Sequence, residues 1–188
     1  YKGYVNGSIS VGGVTGYTVG TITNCYNASD VGCYQEGGGI AGTNNAGKIT
    51  NCYNIGSINN SINSGSIVGK SYGKGTVINN CYYLKGDRGI GKTGTYYGDG
   101  NTTKLTLAQM TGKNALSNMP GLDAENSYAT EDKTVVEKVG NEQKVSETKY
   151  FPHLVVFKGK TDPPCVEKSV IQMQQDSDGF YLIYTKEQ

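Results

Sequence analysis

A six-residue pattern recurs three times in register. Ile22-Thr23-Asn24-Cys25-Tyr26-Asn27 returns as Ile49-Thr50-Asn51-Cys52-Tyr53-Asn54 and as Ile78-Asn79-Asn80-Cys81-Tyr82-Tyr83, with the cysteines offset by 27 and then 29 residues. Periods of this size belong to solenoids, whose units bury apolar surface only against their neighbours. Two further columns keep step. Gly12-Gly13-Val14-Thr15-Gly16 aligns with Gly38-Gly39-Ile40-Ala41-Gly42 and Gly65-Ser66-Ile67-Val68-Gly69, and Tyr4 to Ile9 aligns with Tyr26 to Val31 and Tyr53 to Ile58.

Each repeat therefore holds three short apolar segments separated by Gly, Asn and Ser. The segments are β-prone but too short for stable hairpins, and Gly and Asn tolerate the φ > 0 conformations of sharp corners. A right-handed three-sided parallel β-helix satisfies both facts. Its interior is expected to hold the columns Val14/Ile40/Ile67, Ile9/Val31/Ile58 and Ile22/Ile49/Ile78. A helical alternative fails, because nothing recurs at 3.6-residue spacing and glycine is costly in helices.

Gly-Gly-Ile-Ala-Gly followed by Gly-Lys-Ile-Thr-Asn-Cys-Tyr-Asn-x-Gly-Ser-Ile resembles the GLUG-motif repeats of bacterial cell-surface proteins, adhesin-like chains and some surface-bound IgA-cleaving peptidases among them. The resemblance covers residues 1–84. It implies an extracellular stalk or adhesion module and no protease activity, because in those peptidases the repeats lie outside the catalytic domain. The third copy departs from the pattern with Ser66 for Gly and Tyr83 for Asn, as a terminal coil would.

Composition changes near residue 85. Twenty-three of the 28 glycines precede residue 101, whereas only Lys2, Asp30, Glu36, Lys48, Lys70 and Lys74 are charged before Lys85. Residues 85–160 are expected to form a loop, a cap helix and a closing strand, giving a small mixed cap. The loop runs to Thr103. The helix starts after Thr106, with Gln109 at capping-box spacing, and runs to about Leu116 before Pro120-Gly121. Residues 124–149 read as a polar excursion and Tyr150–Phe157 as the closing strand. Residues 161–188 read as a linker, Asp162-Pro163-Pro164, and the start of a following repeat block, with a strand and a helix start from Phe180. The Leu-Thr-x-x-Gln-Met helix and the final strand are also what the resemblance implies at the end of a repeat block.

The in-register cysteines invite a disulfide or metal reading. Stacked sulfurs with parallel Cβ vectors make poor disulfides, and zinc pairs of Cys-x₂₋₄-Cys spacing are absent. Small interior thiols are the expectation for Cys25, Cys52 and Cys81, with Cys33 and Cys165 unassigned. Asn24, Asn51 and Asn80 read as a structural amide ladder. Tyr26, Tyr53 and Tyr82 face inward under strict alternation; a bend at Asn would turn them outward as an aromatic strip able to stack on sugars. Within the coils only Asp30 and Glu36 carry carboxyls and neither recurs, whereas glycoside hydrolysis takes two about 5–9.5 Å apart. His153, the single histidine, has no nucleophile motif beside it.

No catalytic, metal or cofactor site is therefore expected. A net charge of +1 gives no footprint for nucleic acid, and no apolar run reaches the length of a membrane span. No signal peptide is in view, and the chain reads as a monomeric fragment of a longer secreted or wall-anchored polypeptide. The expected function is structural or adhesive display on the bacterial surface, with a host glycan or surface protein as partner. The rival is a glycan-binding module or a degenerate β-helix carbohydrate-active enzyme. An exposed aromatic strip would favour the first, and a cleft with Asp or Glu beside Arg or Lys the second.

Overall fold

The structure, a computed structural model, describes residues 3–59, 62–93, 100–122, 127–139, 142–155, 165–172 and 183–185. The fold is mainly β. Its repeat region runs β1 (Tyr4–Gly12), β2 (Thr15–Thr18), β3 (Thr21–Thr23), β4 (Tyr26–Asn27), β5 (Asp30–Gly38), β6 (Ala41–Asn45), β7 (Lys48–Asn54), β8 (Ile58–Asn59), β9 (Val68–Tyr72), β10 (Val77–Tyr83), β11 (Ile90–Thr93) and β12 (Gly100–Lys104). These strands form three parallel sheets, ordered β1-β5-β8, β2-β6-β9-β11 and β3-β7-β10-β12, with β4 also on β7. Each copy of the repeat contributes to the first, second and third sheet in that order.

Register follows the sequence columns closely. Ile22 and Ile78 both pair with Ile49, and Cys81 with Cys52. Ala41 stands between Thr15 and Val68 in the second sheet. Ile40, Ala41, Ile49, Cys52, Ile67, Val68, Ile78 and Cys81 form one buried cluster, each at most 1% exposed. Burying such an aliphatic side chain contributes about 1.5–3 kcal/mol, so each added coil is held by the columns it extends.

Asparagine sets the corners. Asn24, Asn51 and Asn80 have φ of 54°, 55° and 50°, a left-handed conformation that asparagine tolerates better than most residues. The bend breaks strict alternation. Cysteine joins the isoleucine column in the interior, and the tyrosine after it points out of the coils.

Several expectations are corrected. Ile9 is 61% exposed, and Val5 instead pairs with Val31, which pairs in turn with Ile58. The first copy is thus displaced by four residues from the alignment on Tyr4 and Ile9. Val14 heads the Ile40/Ile67 column but is 44% exposed, since the described residues put no coil beyond it. Residues 85–103 are more than a loop, because β11 pairs with β9 and β12 with β10.

Beyond the coils, α1 spans only Leu107–Met110 and is followed by a 3-10 turn at Ala115–Asn118, so one helix to Leu116 does not form. The capping box is present: the Thr106 side chain accepts from the Gln109 amide, and the Gln109 side chain accepts from the Thr106 amide. The polar excursion contains strands: β13 (Tyr128–Ala129), β14 (Asp132–Val139) and β15 (Glu142–Tyr150). Of the expected closing strand Tyr150–Phe157, Tyr150 ends β15 and β16 (His153–Leu154) runs antiparallel to β13, while residues 156 and 157 lie outside the described residues. β17 (Cys165–Gln172) and β18 (Ile183–Thr185) complete an antiparallel sheet ordered β14-β15-β17-β18. The Asp162-Pro163-Pro164 linker and the helix start at residues 186–188 lie outside the described residues.

Candidate functional site

The tyrosine column is the first candidate surface, and the chain itself covers it. Tyr26 stacks on Tyr53 with ring centroids 5.2 Å apart. Tyr53 and Tyr82 are buried with Leu105, Met110, Ala115, Met119, Leu122, Tyr128 and Phe151. The polar ends of the rings are also engaged. Tyr53 donates to the Pro152 carbonyl, Tyr82 to the Pro120 carbonyl at 2.6 Å, and Tyr128 to the Asn51 carbonyl at 3.3 Å. Asn24 Nδ2 donates to Ser127 Oγ at 3.0 Å, so the post-repeat segment reaches back to the first copy. The segment expected to cap an end therefore lies along the flank of the third sheet, and the tyrosines serve as its mortar. Burial pushes the Tyr53 and Tyr82 phenols up from their ordinary value.

The asparagines divide their work. Asn80 Nδ2 donates to Asn51 Oδ1 at 3.2 Å, while Asn24 is spent on the flank. A second, buried ladder sits three residues on, where Asn27 Nδ2 donates to Asn54 Oδ1 at 2.8 Å. Each of those amides also accepts from the backbone two residues ahead, Ser29 N and Gly56 N, both at 3.1 Å. The repeated Asn in the sequence was the available signal for this ladder.

Cys25, Cys33, Cys52 and Cys81 are free thiols. Hydrogen bonding with Cys52, followed by burial, pushes the Cys25 thiol up and leaves little thiolate for nucleophilic chemistry. Cys165 opens β17, and its side chain lies outside the described residues. Among the described residues no group of three or more His, Cys, Asp and Glu side chains could hold a metal ion. His153 is buried in β16, with Ala129 as its register partner.

Both coil carboxylates are engaged. Asp30 Oδ1 accepts from Ser57 N of the next coil at 2.7 Å. Glu36, at φ 64°, stands opposite Ser10, at φ 53°, where the first sheet turns a corner. Its Oε2 accepts from Ser10 Oγ at 2.7 Å and from Thr43 Oγ1 at 2.8 Å, and Oε1 pairs with Lys70 Nζ at 2.9 Å. Burial opposes ionisation, but Ser10, Lys70 and Thr43 outweigh it and hold the carboxyl below its usual range. Sequence reading missed this cluster because it joins two columns, Ser10/Glu36 and Thr43/Lys70, in which the residue type changes from copy to copy.

A depressed folded-state pKa stabilises the fold above the unfolded value of 4.5, and that contribution disappears as pH falls through the folded value. Denaturant midpoints measured from neutral pH to below 4.5 should therefore fall more steeply for the native chain than for Glu36→Gln. Parallel profiles would show that the cluster carries no linkage.

One cleft joins residues that the sequence did not group. Ser57, Ile58, Asn63, Ser64, Gly65, Ser66, Lys85, Gly86, Asp87, Arg88 and Gly91 line a space of about 390 Å³. It opens beside β8, the terminal strand of the first sheet. Asp87 is the one carboxylate in this lining, so the paired carboxyls of glycoside hydrolysis are not assembled there.

Among the described residues no helix is long and apolar enough to cross a membrane. Comparisons of the chain with protein-family models, with curated proteins and with solved structures find no match in any of the three.

Proposed function

We propose that the chain is a non-catalytic structural or adhesive module of a bacterial surface protein, built as a right-handed three-sided parallel β-helix and belonging with the GLUG-type repeats that its sequence resembles. The carrying observation is how the polar and reactive side chains of the coils are spent. Asp30 and the Asn27/Asn54 pair bond one coil to the next, Glu36 braces a corner with Lys70, and the cysteines pack inside. Such a construction favours stiffness over chemistry. Each coil satisfies its neighbour's strand edges, so the module transmits load along the stack while its corners stay free to vary.

In this reading the module stands outside the cell and offers its corners to a host glycan or protein. The covered tyrosine column weakens the sugar-stacking form of the rival. Asp87 beside Lys85 and Arg88 in the cleft keeps a degenerate carbohydrate-active form as the second reading.

The test is a glycan array run beside a hydrolase, lyase and peptidase panel on the purified chain. No turnover is expected. Reproducible catalysis lost in Asp87→Ala, Asp30→Asn or Glu36→Gln would overturn the structural reading, and strong glycan binding without turnover would replace it with a lectin-like one.

A further inference from the structure

The fourth coil takes a shortcut. Tyr26 and Tyr82 both pair with Tyr53 in the third sheet, and Ala41 and Ile90 both pair with Val68 in the second. The chain thus takes fifteen residues from Tyr26 to Ala41, fifteen from Tyr53 to Val68, and only eight from Tyr82 to Ile90. In the two longer passages those residues supply the strand of the first sheet, β5 and then β8. The fourth passage omits seven residues, and with them the strand that would follow β8.

The ends of the shortcut are fixed by hydrogen bonds. Leu84 N donates to Asn54 O at 3.0 Å before the gap, and Ser66 N and Ile67 N donate to Arg88 O and Gly89 O at 2.9 and 2.8 Å after it. Between these anchors lies the 390 Å³ cleft, with Ser57 and Ile58 at one end and Asn63, Ser64 and Gly65 at the other. Its rim is Lys85, Gly86, Asp87 and Arg88, all exposed. β8 pairs with β5 on one side and with no described strand on the side facing the cleft. The chain here is short by seven residues, which extended would make a strand of about 23 Å at 3.3 Å per residue, and the vacancy falls beside β8, where that strand would lie.

We propose that this cleft binds an extended peptide of about seven residues by strand addition to β8. The interior cluster under this sheet, Val11, Val31 and Cys33 with Val5 and Ile58 against it, stops at Ile58. The incoming strand therefore carries a β-branched aliphatic residue over Ile58, extending the Val5/Val31/Ile58 column. Asn63 is left-handed, like Glu36 and Ser10 in the same column, so the position over it favours Asn or Gly, the residues that adopt that conformation most readily, and disfavours β-branched ones. Backbone bonds supply affinity and these two positions supply selectivity. The cleft lining contains no aromatic side chain to stack on a sugar, which favours a peptide over a glycan.

The probe is a synthetic nonapeptide with the sequence of residues 57–65, SINNSINSG, titrated against the full chain by fluorescence anisotropy. Saturable binding is expected, weakened at least tenfold when alternate peptide amides are N-methylated and likewise when the sequence is scrambled. A second arm inserts the sequence of residues 58–64 between Gly86 and Asp87, supplying the strand in cis. The insertion variant should keep the native circular dichroism, melt higher and lose peptide binding. No saturable binding to the native chain overturns the proposal, as does binding indifferent to N-methylation. A folded insertion variant that still binds is pairing elsewhere, such as at the β1 edge, and also overturns it. Should the insertion variant not fold, the N-methylation arm alone decides. Displacement of the peptide by an oligosaccharide would reassign the cleft to a glycan. This outcome is independent of the turnover panel, so the structural reading can stand or fall separately.

Discussion

Tyr53→Ala is expected to cost about 3–5 kcal/mol, the range for truncating a fully buried aromatic side chain. Tyr53 is 0% exposed, stacks on Tyr26, tilts against Tyr128 and donates to the Pro152 carbonyl. Its loss opens a cavity between the coils and the flank and leaves that carbonyl without its donor. Tyr53→Phe keeps the ring and removes only the hydroxyl, for an expected cost of about 1–2 kcal/mol. Urea unfolding of the two variants beside the native chain measures both. A Tyr53→Ala cost no larger than that of Tyr53→Phe would mean that the flank does not seal the tyrosine column.

That packing marks the limit of what periodicity reveals. The repeat made the Ile22/Ile49/Ile78 column legible because stacking places the same position of each coil over itself, whatever surrounds it. It could not decide the direction of the tyrosines. That direction depends on the backbone of Asn24, Asn51 and Asn80, and on Pro120, Tyr128 and Pro152, which follow the last repeat and belong to no column. The apolar spacing and capping box at Thr106–Gln109 announced a helical turn, but nothing local said which face of the coils it would meet.

Two other misses had signals in the sequence. Val139 of β14 pairs with Glu142 of β15, and the sequence between them reads Gly140-Asn141, a two-residue hairpin signal. The abundance of charge in this stretch obscured it, although the hairpin strands alternate with ordinary β-prone residues. The first copy slipped because its Tyr4-to-Ile9 segment matches the later copies in turn residues, whereas burial is set by the apolar column that begins at Val5. The corner cluster and the cleft were not legible, since each joins residues from separate copies that resemble nothing else in the repeat.

The departures of the third copy make physical sense together. A Cβ on Gly13 would strike the Asn27 side chain, and one on Gly39 the Asn54 side chain. Where Tyr83 stands in place of that asparagine, Ser66 stands in place of the glycine, and its Oγ donates to the Lys85 carbonyl at 2.6 Å. The glycine is required by the amide it faces and also by the next copy's backbone, since the Gly39 carbonyl crowds Gly13 and the Ser66 carbonyl crowds Gly39.

The same reasoning gives the sharpest contrast between two chemically identical substitutions. Gly38→Ala is expected to cost about 3 kcal/mol, the upper end for overpacking, because the added carbon meets backbone that side-chain repacking cannot clear. The atoms in its way are the carbonyl of Ala41 and the amide nitrogen of Gly69, and the matching position Gly65 meets Val68 and Gly91 in the same manner. Gly20 has nothing within 4 Å of an added Cβ and no left-handed φ, so Gly20→Ala is expected to be neutral or to stabilise by about 0.4–1 kcal/mol through the unfolded chain. Thermal and denaturant unfolding of both variants checks the pair. Equal effects would mean that these glycines serve chain flexibility alone. Opposite signs would tie the in-register glycine to close backbone stacking between neighbouring copies of the repeat, where the chain passes from the first parallel sheet to the second.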